Sequence, residues 1–331
     1  MESFLDLVGG KGVMKFFETI SKGIGAITKP KLIKMMAEAE SYKKEKEIES
    51  KSFEIEKLSE IIKNNPELAI QYNNGNITIE NKNIQEITVR ALNRLGYQEL
   101  KKQLNIEKTI KFAYEEIKND DQVSEEQVSD DWVFRFFNSV ENISDENIQK
   151  IWARILAGEI KAPNSYSYRA MEILKNMTQK EIELFQKISK VSIQSSDSYF
   201  ITTNKEILKK YDVFFIDIFS LEEFGLISSQ ELSWTKVFEQ EEILVGQTSE
   251  FLALASNKNF ETTKVVYNAF KFTNSGQQLL KAIFPKQEKE YFIDYAKDLL
   301  KCNPNIDIKI YKYDCNSQNN SNILLEEIFL D

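Results

Sequence analysis

Residues 130–160 read DDWVFRFFNSVENISDENIQKIWARILAGEI, and the organisation of the chain is worked out from them. Trp132, Phe134, Phe136, Phe137 and Trp152 fall at helical spacing, so they are read as a core and not as a base-stacking surface. The pattern predicts helices over 130–140 and 144–160. Ser144 is placed to cap the second, and Gly158 followed by Pro163 marks its end. Two further helices follow over 165–176 and 178–190. Thr178 with Glu181 spells a capping box, in which hydroxyl and carboxylate satisfy each other's backbone N–H.

Upstream, 119–129 is acidic and polar and reads as a linker, while 83–118 is helical. Asn73-Asn74-Gly75-Asn76 is a turn leading into a short strand over 77–80. Residues 31–63 form a Glu/Lys-rich helix pattern. Its apolar stripe (Leu32, Met35, Met36 and Ala39, then Phe53, Ile55, Leu58, Ile61 and Ile62) is interrupted by a charged middle that cannot bury itself, as in a stalk or an oligomer-forming helix.

Residues 1–30 stand apart. They hold Gly9, Gly10, Gly12, Gly23 and Gly25, five of the chain's 11 glycines. Val13, Phe16, Phe17, Ile20, Ile24 and Ile27 line one helical face, with Phe4 and Leu5 ahead of them, and Lys11, Lys15 and Lys22 lie mostly off it. Such a face suits a lipid surface or a protein partner, and these eight residues are the candidates for that contact. Gly9-Gly10-Lys11-Gly12 lacks the spacing, the Ser or Thr and the preceding strand of a phosphate loop, and is read as a hinge.

Beyond residue 191 the pattern changes. Strands are expected over 199–202, 242–245, 251–255, 265–272 and 305–313, and helices over 204–210, 216–224, 275–284 and 288–301. The fold class is mainly α with an α+β C-terminal domain. Its parts are an amphipathic segment (1–30), a charged helix (31–63), a helical region with linker (64–128), a central helical block (129–190) and the α+β domain (191–331).

The chain has no histidine, which removes Ser-His-Asp and Cys-His catalysis and histidine-bound zinc. A net charge of −9 argues against non-specific nucleic-acid binding. Cys302 and Cys315 are too few for a disulfide framework or a zinc site, and no apolar run is long enough to span a bilayer. The start does not read as a secretory signal, so a cytoplasmic location, with membrane association left open, is expected. Asp130, Asp131, Arg135, Arg154, Glu159 and Arg169 are polar residues within the apolar block. They could bind an anion or perform acid/base chemistry, but caps and salt bridges between packed helices account for them better. No catalytic residue, cofactor or metal is assigned.

Two resemblances follow from these residues. Asp130-Asp131-Trp132 with Arg135-Phe136-Phe137, Trp152-Ala153-Arg154 through Ile160, Ser167 with Arg169, and Glu172-Ile173-Leu174 resemble the bacterial family called domain of unknown function 2806. The resemblance covers most of 20–280 and is strongest over 130–190. It implies a fold neighbourhood and no activity, and the first helix departs from it in being long and apolar. Leu221 to Ile227 and Phe272 to Leu280 resemble the helix end before a wing, and the strand-to-helix turn after one, in a winged-helix domain. Thr273 or Asn274 can cap the helix that follows. The helix taken as the DNA reader, 204–211, carries Lys205, Lys209 and Lys210 against Glu206, and acidic stretches lie nearby. The reading that results is a non-enzymatic effector or assembly protein, plausible in anti-phage defence. It would act through the amphipathic segment as a homo-oligomer, with peripheral membrane contact and a protein or phage partner as the open partners. A DNA-associated regulator is the alternative.

Overall fold

The computed structural model describes residues 10–25, 69–73, 76–80, 86–120, 122–239, 242–258, 263–283, 286–316 and 321–328. Phe4, Leu5, Ile27 and the charged pattern over 31–63 lie outside them. The chain divides into two compact units, residues 1–165 and 166–331. The last two helices of the central block therefore belong with the sheet. No helix among the described residues is long and apolar enough to cross a membrane.

The first unit contains α1 (Lys11–Ile24), a hairpin of β1 (Ala69–Asn73) and β2 (Asn76–Glu80), α2 (Glu86–Ile117), α3 (Asp130–Val140) and α4 (Glu146–Lys161). Its core is an aromatic seam. Trp132 stacks on Phe136 at 5.2 Å between ring centroids, and Phe136 meets Trp152 edge-on at 5.6 Å. From α2 come Ile106, Ile110, Ala113 and Ile117, which recur on one face and are buried. Asp145, not Ser144, caps α4, its carboxylate accepting from the Ile148 N–H at 3.0 Å.

α1 closes this core. Val13, Phe16 and Ile20 are buried, with Phe16 against Tyr114 at 5.7 Å. Gly12 is inside the helix and not a hinge: a Cβ there would meet the Asp120 carbonyl oxygen at 2.1 Å. A Cβ at Gly23 would strike the Phe137 ring at the same distance. The stretch read as a linker carries polar clamps. Lys15 donates to the Ser124 carbonyl at 2.8 Å, and Gln127 to Glu18 at 2.8 Å.

The second unit contains α5 (Tyr168–Asn176), α6 (Gln179–Ser189), β3 (Ile193–Ser195), β4 (Ser198–Thr202), α7 (Lys205–Lys210), α8 (Phe215–Glu223), β5 (Leu232–Phe238), β6 (Ile243–Gln247), β7 (Phe251–Asn257) and β8 (Thr263–Lys271). α9 (Asn274–Ile283), α10 (Lys289–Cys302), β9 (Ile306–Asn316) and β10 (Ser321–Ile328) complete it. The capping box at Thr178 and Glu181 is formed. The eight strands make one antiparallel sheet in the order β10-β9-β7-β6-β3-β4-β8-β5. The α+β expectation holds, with β3, β5 and β10 added.

Helices cover both faces of the sheet. α10 lays Tyr291, Phe292, Tyr295 and Leu299 on one, where Tyr295 meets Phe200 at 5.8 Å. On the other, Phe185 of α6 meets Phe272 at 6.2 Å and Phe215 of α8 meets Phe270 at 5.9 Å. The end of α8 is joined to the start of α9. Gly225, at φ +73°, ends α8, and Thr273 donates its hydroxyl to the Gly225 carbonyl at 2.7 Å. The same hydroxyl oxygen accepts from the Gly276 N–H at 3.0 Å, so Thr273 is the cap of α9. A Cβ at Gly276 would lie 1.9 Å from the Leu226 carbonyl oxygen, and Ile227 bridges Phe272.

Two substitutions test this packing by urea unfolding. Phe16→Ala should cost about 3–5 kcal/mol, the range for truncating a buried aromatic ring, against under about 0.5 kcal/mol for Met14→Ala at the exposed side of α1. Gly276→Ala should cost about 1–3 kcal/mol, because a backbone carbonyl and not a movable side chain stands in the way.

Candidate functional site

The six polar residues nominated from the sequence do not form one site. Asp130 pairs with Lys22 at 3.1 Å, and its side chain and that of Asp131 are exposed in the first turn of α3, where a helix favours negative charge. Arg154 reaches Glu116 at 3.4 Å. Glu159 is buried, and its carboxylate accepts from the Asn164 N–H at 2.7 Å, holding the left-handed turn in which Asn164 sits at φ +70°. Arg135 is exposed on α3, and Arg169 is exposed on α5 in the second unit. Among the described residues no three Cys, Asp or Glu side chains gather as a metal ion would need.

The amphipathic candidates separate in the same way. Val13, Phe16 and Ile20 serve the first unit's core, while Phe17 and Ile24 are half-buried. Lys15 sits below the ordinary lysine pKa because burial penalises its charge more than Glu126, Glu18 and Glu159 favour it.

The second unit exposes what sequence reasoning did not nominate. α7 and α8 are joined by four residues, Tyr211 to Phe214, with Asp212 left-handed at φ +57°. Val213 within this connection is buried. α8 is held from both ends. Its Asp217 carboxylate accepts from the Phe214 N–H at 3.0 Å and pairs with Lys187 at 3.3 Å, and Lys187 also pairs with Asp212 at 3.1 Å. Burial lowers the Lys187 pKa, but the hydrogen bonds to Asp212 and Asp217 outweigh it and leave it above the ordinary value. At the other end Glu222 accepts from the Ser229 N–H at 3.0 Å and from its hydroxyl, which hold its carboxyl below the usual range.

Ile218 and Leu221 turn α8 inward, and Phe215 rests on Phe270. What remains outside is apolar: Phe214 is 45 % exposed, Ile216 69 % and Phe219 51 %. No Lys or Arg occurs in 215–223, whereas Asp217, Glu222 and Glu223 do. The signal was present in the run Phe214-Phe215-Ile216-Asp217-Ile218-Phe219. A nine-residue helix with a single buried side cannot hide so many large side chains. The helix examined as a DNA reader, 204–211, is the first of the pair.

A family model described as Protein of unknown function (DUF2806) matches residues 89–296. The chain belongs to this family. The match spans α2 from Val89, all of α3 to α9 and the strands between them, and α10 as far as Ala296. The α7–α8 pair therefore lies inside the family region, whereas α1 lies outside it. No curated protein and no solved structure matches the chain.

α7 is fastened to α10 by Asp294, whose Oδ2 accepts from the Tyr211 hydroxyl at 2.7 Å and pairs with Lys210. Burial raises the Asp294 pKa, but the hydrogen bonds from Lys210 and Tyr211 outweigh it, so it lies below the ordinary value. A depressed carboxylate contributes stability above its unfolded pKa, about 3.9, and loses it as pH falls through the folded value. Asp294→Asn should therefore cost about 1 kcal/mol at pH 7, since Lys210 is largely exposed. That gap should close in urea titrations carried below pH 3–4, a range of about the unfolded carboxylate value and less.

Proposed function

We propose that the chain is a non-enzymatic assembly protein of the cytoplasm, whose second unit carries a winged-helix-like module that binds protein instead of nucleic acid. Chain order and sheet order support the module. β4, α7, α8 and β5 follow in sequence, β8 comes after β6 and β7, and β4, β8 and β5 lie side by side. One observation carries the choice of partner. The second helix of the pair presents Ile216 and Phe219 to solvent beside Glu222 and Glu223, with no cation of its own. A surface that reads DNA needs Lys and Arg against phosphates and bases. An exposed apolar strip rimmed by charge is the anatomy of a protein interface.

The lysines named for a DNA contact are committed elsewhere in part. Lys210 pairs with Asp294, and Lys205 stands 5.0 Å over the Phe215 ring. Lipid contact through α1 would require Val13, Phe16 and Ile20 to leave the first unit's core, which disfavours it as the resting mode. An anti-phage effector role is carried in this proposal through assembly, and protection against phage in a plaque assay should then be lost with Phe219→Asp.

Fluorescence anisotropy with duplex DNA at low salt tests the choice directly. The expected result is no saturable binding, and no change when Lys205 and Lys209 are replaced by Gln. Tight binding that weakens steeply with salt and is lost in that variant would replace this reading with the DNA-regulator one.

A further inference from the structure

α2 outruns the core it serves. Ile106, Thr109, Ile110 and Ala113 are buried, yet from Arg90 to Glu99 every residue is exposed except Ala91, which is half-buried. The same face continues into that stretch. Thr88, Ala91, Leu92 and Leu95 stand eighteen residues before those four buried positions, and eighteen residues make five turns of α-helix. Leu92, 37 % exposed, and Leu95, 48 %, are therefore a core stripe left open among the described residues. Arg94 and Lys101, seven residues apart, flank the stripe on one side, and neither has an ion pair among the described residues. Glu99 and Lys102 pair with each other at 3.1 Å and add no net charge to it.

We propose that residues 47–62 of this same chain form a helix that docks antiparallel along this stripe. The inference is independent of what α8 binds. Ile62, Leu58 and Ile55 are separated by four and then three residues, and so are Thr88, Leu92 and Leu95 in the opposite chain direction. Setting Ile62 against Thr88, Leu58 against Leu92 and Ile55 against Leu95 closes the stripe in three layers. That alignment also settles the charges. Glu47 and Glu54, seven residues apart as the two cations are, run along the flank that carries them, Glu54 beside Arg94 and Glu47 beside Lys101. The path of the chain imposes the direction. Ala69 pairs with Glu80, so the chain enters and leaves the β1–β2 hairpin at one place. Six residues, 63–68, lead into that place from the segment, and five, 81–85, lead from it to α2. Connections that short turn a chain back on itself, and they favour its own neighbour over a second copy.

Disulfide trapping in the full-length chain, with Cys302 and Cys315 replaced by Ser, tests the proposal. Leu58→Cys with Leu92→Cys should close under mild oxidation into a crosslink within one chain, seen as a faster-running monomer on a non-reducing gel. Ile62→Cys with Leu95→Cys is out of register by about 10 Å and should crosslink at least tenfold more slowly. Leu92 and Leu95 are exposed, so replacing them should leave the circular dichroism spectrum unchanged. Arg94→Glu and Glu54→Arg should each slow the crosslink between positions 58 and 92 about twofold to threefold, as an exposed ion pair allows. The two together should restore its rate. A crosslinked product of twice the mass gives the stripe to the segment of a second copy and overturns the proposal. Equal trapping by the two cysteine pairs, or none by either, overturns it as well. Charge variants without effect, or no recovery in the double variant, overturn the alignment.

Discussion

The second unit depends on one close approach, that of the Gly276 Cα to the carbonyl of Leu226. A side chain at 276 has no room, so the start of α9 can sit directly against the residues that end α8. Thr273 uses the same junction twice, donating to Gly225 and accepting from Gly276. The Ile227–Phe272 bridge then aligns the strands that follow and precede it, β5 and β8, which pair along their whole length. The orientation of α8 follows. Its C-terminal end is pinned at Gly225 and its N-terminal end by Lys187 with Asp212 and Asp217. Ile218 and Leu221 must therefore point in, and Ile216 and Phe219 must point out.

The first unit uses glycine for a similar purpose. Gly12 lets α1 approach the Asp120 carbonyl and Gly23 lets it approach Phe137. The helix can then lay Val13, Phe16 and Ile20 into the core with no gap. Polar groups around it, among them Lys15, Lys22, Glu18 and Gln127, fasten its edges. The conspicuous amphipathicity of this segment is thus spent on its own unit. Large apolar residues that stay exposed lie elsewhere, among them Phe134 on α3 and Ile216 and Phe219 on α8.

Much of the fold was legible in the sequence. The helices of residues 130–190 were readable because caps and breakers are local chemistry. A Thr three residues before a Glu, or a Gly followed by a Pro, acts within one turn of chain whatever packs nearby. The strands β4, β6, β7, β8 and β9 were readable for the related reason that their apolar runs have turn residues at the ends. β3, β5 and β10 were not. β3 is three residues long, too short for a pattern to show, β5 intersperses Ser233, Thr235 and Lys236 among its apolar residues, and β10 carries Glu326 and Glu327.

The site was less legible than the fold. The sequence by itself determined which segments are helical, which are apolar, that histidine chemistry is absent and that the net charge is acidic. It also contained the excess of large apolar residues around Phe215. Only the tertiary structure decided which apolar face is used up and which stays open. Phe16 and Ile216 are both large hydrophobes on short helices, and nothing local separates them. Burial depends on what other elements bring to that face, and for Phe16 that is Tyr114, 98 residues away, whereas among the described residues nothing covers Ile216 on the outward side of α8. The polar candidates scattered for the same reason: Asp130 pairs with Lys22 of α1 and Arg154 with Glu116 of α2, whereas Glu159 holds the Asn164 turn.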